Sequence, residues 1–267
     1  MNTTPKIIAS ILIALLFLPS FAQELKTKKI QTFNYLEIFT IDKKSKLKNG
    51  EYLKIDSKSK DTLISGTFKD DLKTGIWKYN SKDSKLWITY DYDKKMLTRL
   101  SDEINSSNMY VIRKGDSFVS EKVDSPPIYI GYKDEIVNTL RSNLRPPVQI
   151  LEAGIPVVAV ASFVVDIKGN MKDFQIVKAS STMINPSVFA AFKKLDGEWS
   201  PAIYNGQPVE SQVFLIFDVK RFGTSSTLPT ISNAVVINFE YYSITRTVEI
   251  RGANTVPLGS NPQTRRY

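Results

Sequence analysis

Four carboxylates stand where acid–base chemistry could be done: Asp134 and Glu135 side by side, and Asp166 and Asp173 seven residues apart. Paired carboxylates are the machinery of glycoside hydrolysis, one serving as acid and the other as nucleophile or base. A carboxylate-dependent cell-wall glycan hydrolase is therefore one function these residues could serve. Each also has a plain structural role. Acids at the start of a helix complement its dipole, which suits Asp134 and Glu135, and Asp166 and Asp173 flank a hairpin turn where solvated carboxylates are ordinary. The chain has no histidine and no cysteine, which removes Ser-His and Cys-His nucleophilic machinery and leaves a metal only carboxylates and carbonyls as ligands. The residue types thus assign no catalytic residue, no metal site and no cofactor, and the expectation is a protein that is not an enzyme.

The elements that would position any site divide unevenly along 267 residues. Lys6 precedes the apolar run Ile7–Leu18, and Pro19-Ser20-Phe21-Ala22 then places small residues where a signal peptidase reads. This reads as a signal peptide (1–22) cleaved after Ala22, with the mature chain in the periplasm, because the run is far short of the ~20 residues that span a bilayer. Without cysteine the exported domains must be held by packing alone. The formal net charge of +9 is concentrated early: residues 23–126 carry 21 basic and 16 acidic side chains, residues 127–222 carry 10 and 9. Lys43, Lys44, Lys46, Lys48, Lys58 and Lys60 suit peripheral contact with an anionic membrane surface, although such a run is also an ordinary solvated face. Nucleic acid is not an expected partner of an exported chain.

No proline occurs between Pro19 and Pro126, and Pro126-Pro127 then opens a different composition, placing a boundary near residue 124. Residues 23–124 are short alternating stretches expected to form β-hairpins. Within them a glycine followed two residues later by an aromatic recurs three times: Gly50 and Tyr52, Gly66 and Phe68, Gly75 and Trp77. Stacked units of this kind share a core that one unit could not make.

In residues 126–222 the spacing predicts a helix over Tyr132–Leu144, a hairpin with strands 156–166 and 171–178, and a helix from Asn185, expected as N-cap with Pro186 at the first turn. The third strand is expected over Val209–Asp218, after a turn at Asn205-Gly206 and with Pro208 at its start. Trp199 and Pro201 fall in the crossover from the second helix to this strand, where the indole is expected in the core. The order gives an α+β fold, a three-stranded antiparallel sheet with two helices on one face, preceded by the β-hairpin module and followed by a tail (223–267). That tail holds another strand pattern over Val235–Ile250.

Two resemblances follow from these residues. Lys46–Tyr79, above all GTFKDDLKTGIWKYN, resembles MORN-like hairpin repeats of bacterial envelope proteins, which implies scaffolding or surface contact. Residues 126–222 resemble the C-terminal domain of TonB through Ile130-Gly131, Asn143-Leu144-Arg145-Pro146, Ser162–Gly169, Trp199-Ser200-Pro201 and Asn205–Val209. Departures from the pattern are Arg145, Pro156 and Ala202-Ile203. The TonB resemblance implies capture of a partner peptide by strand addition, where main-chain hydrogen bonds carry the contact. The implied receiving strand is Val209, Glu210, Ser211, Gln212, Val213, Phe214, Leu215 and Ile216. The implied partner is an envelope protein or peptide, such as a segment of an outer-membrane receptor, with a link to TonB-dependent transmembrane transport. The inner-membrane helix and proline-rich spacer of an energiser are not in this sequence, so the expected role is binding or scaffolding; the alternative is a structural envelope subunit. The tail strand is itself a candidate to fill the receiving edge.

Overall fold

The computed structural model describes residues 24–82, 85–105 and 109–242. The expected signal segment and most of the tail lie outside the described residues. The chain is mostly β. Strands β1 (Leu25–Gln31), β2 (Tyr35–Asp42), β3 (Lys48–Asp56), β4 (Thr62–Lys69), β5 (Leu72–Asn80), β6 (Leu86–Asp91) and β7 (Met96–Leu100) form one antiparallel sheet in chain order. Helix α1 (Asp102–Asn105) leads out of it.

Hairpin turns of this sheet repeat a chemistry that sets its register. In DKKSK (42–46), DSKSK (56–60) and DYDKK (91–95) the first aspartate accepts the amides two and three residues on. Asp42 Oδ1 takes Lys44 N (2.9 Å) and Ser45 N (2.7 Å), Asp56 Oδ1 takes Lys58 N and Ser59 N (both 2.9 Å), and Asp91 Oδ1 takes Asp93 N (3.0 Å) and Lys94 N (3.1 Å). The fifth residue is left-handed each time, at φ 65°, 67° and 54° for Lys46, Lys60 and Lys95. An Asx-type turn followed by one left-handed residue is a compact way to reverse a strand. These hydrogen bonds hold the carboxyls of Asp42, Asp56 and Asp91 below the usual carboxylate range, the amides of Ser45, Ser59 and Lys94 contributing most. A folded pKa below the unfolded one gives stability that is fully present above the unfolded value, about 3.9, and is lost as pH falls through the folded one. The thermal midpoint should therefore drop as pH is lowered from 5 to below 3. The triple variant Asp42→Asn, Asp56→Asn, Asp91→Asn, which keeps the acceptor but not the charge, should show a shallower drop; equal slopes for the two proteins would refute the assignment.

The three Gly-x-aromatic positions converge. Tyr52, Phe68 and Trp77 are buried and in mutual contact, with ring centroids 5.5 Å (Tyr52–Phe68), 5.5 Å (Tyr52–Trp77) and 5.0 Å (Phe68–Trp77) apart. Gly66 has no side chain because the Trp77 indole lies directly on it.

The second sheet departs from the expected fold class. Residues 126–222 were expected to make a three-stranded sheet with two helices. Instead β8 (Met109–Lys114), β9 (Ser117–Lys122), β11 (Val157–Val165), β12 (Met171–Ala179), β16 (Ser211–Arg221) and β17 (Val235–Tyr241) form one six-stranded sheet, ordered β12-β11-β16-β8-β9 with β17 also beside β16. The physical reason is edge satisfaction. A bare edge along β16 would present unpaired N–H and C=O groups, and two strands drawn from outside residues 126–222 take them up. Two-stranded ribbons β10 (Ile128–Tyr129) with β13 (Trp199–Ser200), and β14 (Ala202–Tyr204) with β15 (Gln207–Val209), complete the strands among the described residues.

Helices α2 (Glu135–Asn143), α3 (Val148–Ala153) and α4 (Asn185–Phe192) pack on this sheet. Ile136, Leu140 and Leu144 from α2 and its end join Val188 and Ala191 of α4 against Phe163, Leu215, Phe217 and Ile237 in one core. Asn185 does not cap α4. It is the first helical residue after a 3₁₀ turn (Thr182–Ile184), and its Oδ1 is buried without a partner among the described residues.

Candidate functional site

β16 was expected to start at Val209 and to be the receiving strand, with the tail strand a candidate to fill its edge. Val209 instead ends β15, and Glu210 lies between the strands, where it ion-pairs with Arg113 Nε on β8 (2.7 Å) and with Lys172 on β12. Gln212 donates through its side chain to Ser162 Oγ on β11 (3.1 Å), and the buried Ser211 hydroxyl has no partner among the described residues. Val213, Leu215 and Ile216 are buried and Phe214 is half-buried. Asn205 (φ 50°) and Gly206 (φ 72°) make the two-residue turn between β14 and β15, so Pro208 sits inside β15. Trp199 is buried between Tyr129 and Phe163, at centroid distances of 5.7 and 5.3 Å, with Pro201 half-buried beyond it. Gly169, at φ 82°, brings the β11–β12 turn against the Trp199 carbonyl, leaving no room for a Cβ.

Both sides of β16 are occupied. β11 pairs along Ser211–Val219, β8 pairs at Ser211 and Gln212, and β17 pairs in parallel along Leu215–Arg221. The open run of main chain is displaced outward by one strand, to β17. The hydrogen bond from Phe222 N to Tyr241 O (2.7 Å) aims the Tyr241 carbonyl toward β16. Because main-chain groups alternate sides along a strand, Val235, Ile237, Phe239 and Tyr241 bond toward β16, and Val236, Asn238 and Glu240 turn their N–H and C=O outward. No described strand pairs with that outer edge.

The other long edge strands carry devices that discourage pairing. β12 has two register shifts against β11, a left-handed Asp173 (φ 54°) and the lysines 172 and 178. β9 ends in Glu121-Lys122, β1 carries Lys26, Lys28 and Lys29, and β7 carries Arg99 and a register shift. β17, VVINFEY, has no basic residue, proline, glycine or bulge, and its one charge, Glu240, faces Lys220 at 3.7 Å.

A second feature lies between the two sheets. A cleft of about 440 Å³ is walled by Tyr52, Phe68, Trp77 and Tyr79 of the first sheet and by Glu135 and Glu198 from the second half. Glu198 Oε2 accepts from Tyr92 Oη (2.7 Å), which also contacts Tyr79 Oη (2.9 Å), and faces Lys73 Nζ at 3.6 Å. Burial pushes the Tyr92 phenol up, so it stays protonated and can donate. Glu135 faces Lys54 Nζ at 3.6 Å and accepts from Tyr132 N at 3.3 Å. Burial raises its pKa and the Lys54 charge pulls it back in part. These contacts tie the sheets together, with Ile128 and Ile130 set into the aromatic core.

The four sequence-nominated carboxylates are not brought into one site. Asp134 precedes α2 without making a side-chain cap, and Glu135 belongs to the cleft. Asp166 holds the β11–β12 turn through Lys168 N (2.8 Å) and Asn170 N (2.9 Å), and Asp173 is exposed on β12. Among the described residues no group of three or more acidic side chains could hold a metal ion, and no helix is long and apolar enough to cross a membrane. No family model and no curated protein matches this chain.

Proposed function

We propose that this chain is a periplasmic binding and scaffolding protein that takes up an extended segment of an envelope partner by strand addition, and that the receiving edge is the outer edge of β17. The observation that carries this reading is the contrast between edges: β17 presents the outward groups of Val236, Asn238 and Glu240 with none of the blunting found on β1, β7, β9 and β12. Exposed regular edges of β-branched and aromatic residues are templates for pairing. The resemblance of residues 126–222 to the TonB C-terminal domain supports the recognition mode and a link to TonB-dependent transport. The MORN-like hairpins support a scaffolding contact, with their lysines suited to an anionic membrane surface. The carboxylates act as turn and junction anchors in this reading, and no catalysis is assigned.

The absence of cysteine makes the test clean. A photo-crosslinker on Asn238→Cys should capture an envelope partner in intact cells, and the same label on Gln175→Cys in β12 should not. Equal capture at both positions, or none from the Asn238→Cys variant, would remove β17 as the receiving edge.

A further inference from the structure

The sequence of β17 is complementary to itself in one register. We propose that the strand which fills the β17 edge in the free protein is β17 of a second copy, related by a two-fold axis through Asn238; this rests on β17 being the receiving edge. In an antiparallel pair, residues whose main-chain groups point at the partner exchange both hydrogen bonds. The outward set here is Val236, Asn238 and Glu240, so a two-fold register places Asn238 opposite its own copy and Val236 opposite Glu240. No like charges meet. On the core-facing side the same register sets Ile237 opposite Phe239 and Val235 opposite Tyr241, pairs of β-branched and aromatic side chains that favour cross-strand contact. Such an interface is isologous and closes at two copies, and it joins the two six-stranded sheets into one. A contact built on one strand is at the small end of specific interfaces, below about 1,200 Å², so the dimer is a weak one that an envelope strand can replace.

The register makes the test specific. Paired Cα atoms at such a hydrogen-bonded position lie about 5.5 Å apart, within reach of a disulfide or a short bis-maleimide. In the full mature chain, Asn238→Cys should cross-link to itself several-fold more than Glu240→Cys or Val236→Cys alone, and a mixture of the last two should give a hetero-adduct. Sedimentation of the unmodified chain at high concentration should show a monomer–dimer equilibrium that Val236→Glu, which sets a second glutamate opposite each Glu240 in this register, shifts to monomer without loss of circular dichroism. Equal self-cross-linking of the Asn238→Cys and Glu240→Cys variants would overturn the register. A monomeric chain whose Asn238→Cys variant forms no cross-linked dimer would overturn the second copy as occupant. If that monomeric Asn238→Cys variant still cross-links to an envelope protein, strand addition stands and only the self-pairing fails; if it captures nothing, both fall.

Discussion

Trp199→Ala is expected to cost about 3–5 kcal/mol, the range for removing a large aromatic from a packed core, and to lower the thermal midpoint by about 6–20 °C for a chain of this size. The indole sits between Tyr129 and Phe163, beside the turn at Gly169, and Phe163 in turn meets Phe192 of α4 at 5.3 Å. One truncation therefore loosens the β10–β13 ribbon, the β11–β12 hairpin and the helix layer together. The indole N–H is buried without a hydrogen-bond partner among the described residues, so Trp199→Phe removes an unsatisfied donor along with some area and should cost less than about 1.5 kcal/mol. A loss below about 1 kcal/mol for the alanine variant, read by denaturant titration, would show that the ring is not part of the core.

Asn238→Pro is expected to abolish partner capture while leaving the protein folded. Its N–H points away from β16, so proline deletes the outward donor and blocks close approach without breaking a bond to β16. Asn238→Ala should be nearly silent, because the backbone makes the contact. Gln212→Pro, on the strand that the TonB resemblance implies, tests folding and not recognition: Gln212 pairs with Val111 of β8 and with Val164 of β11, and its side chain holds Ser162, so proline there should unfold the sheet. Far-ultraviolet circular dichroism separates the two outcomes. A folded Asn238→Pro chain that captures its partner as well as the wild type would place recognition elsewhere.

The two helices around Ile136–Leu144 and Val188–Phe192 and the hairpin that turns after Val165 were legible because apolar spacing follows the period of each element, and the Gly-x-aromatic triplets were legible from their recurrence, although of their glycines only Gly66 has a ring, that of Trp77, lying on it. The second sheet was not legible as a whole. β8–β9 lies before the Pro126-Pro127 break, where composition changes, yet pairs with β16 about one hundred residues later. Periodicity finds strands, and partner choice depends on which edges remain unsatisfied after collapse. The tail strand was a candidate for the β16 edge from its alternation over Val235–Tyr241, and β17 does pair there; its parallel direction was invisible for the same reason. The aspartate turns did leave a signal, D-x-x-x-K at residues 42, 56 and 91, that a search for glycine-centred turns passes over. Glu198 was missed because a lone glutamate before a tryptophan carries no pattern; only the fold sets it against Tyr92 and Lys73.

The contrast between the sheets also orders events in time. The first sheet is a meander in which every strand pairs with its neighbour in sequence, so its loops are short to close and it can form as soon as residue 100 is available. The second cannot: β16 needs β8 from before it and β17 from after it. Until Tyr241 emerges, the β8–β9 hairpin waits beside an unfinished edge for more than a hundred residues of chain. That interval is the stretch of biogenesis in which off-pathway pairing is most exposed. Slowing the arrival of the last strand, rather than weakening the finished fold, should be the more effective way to send this protein into aggregates.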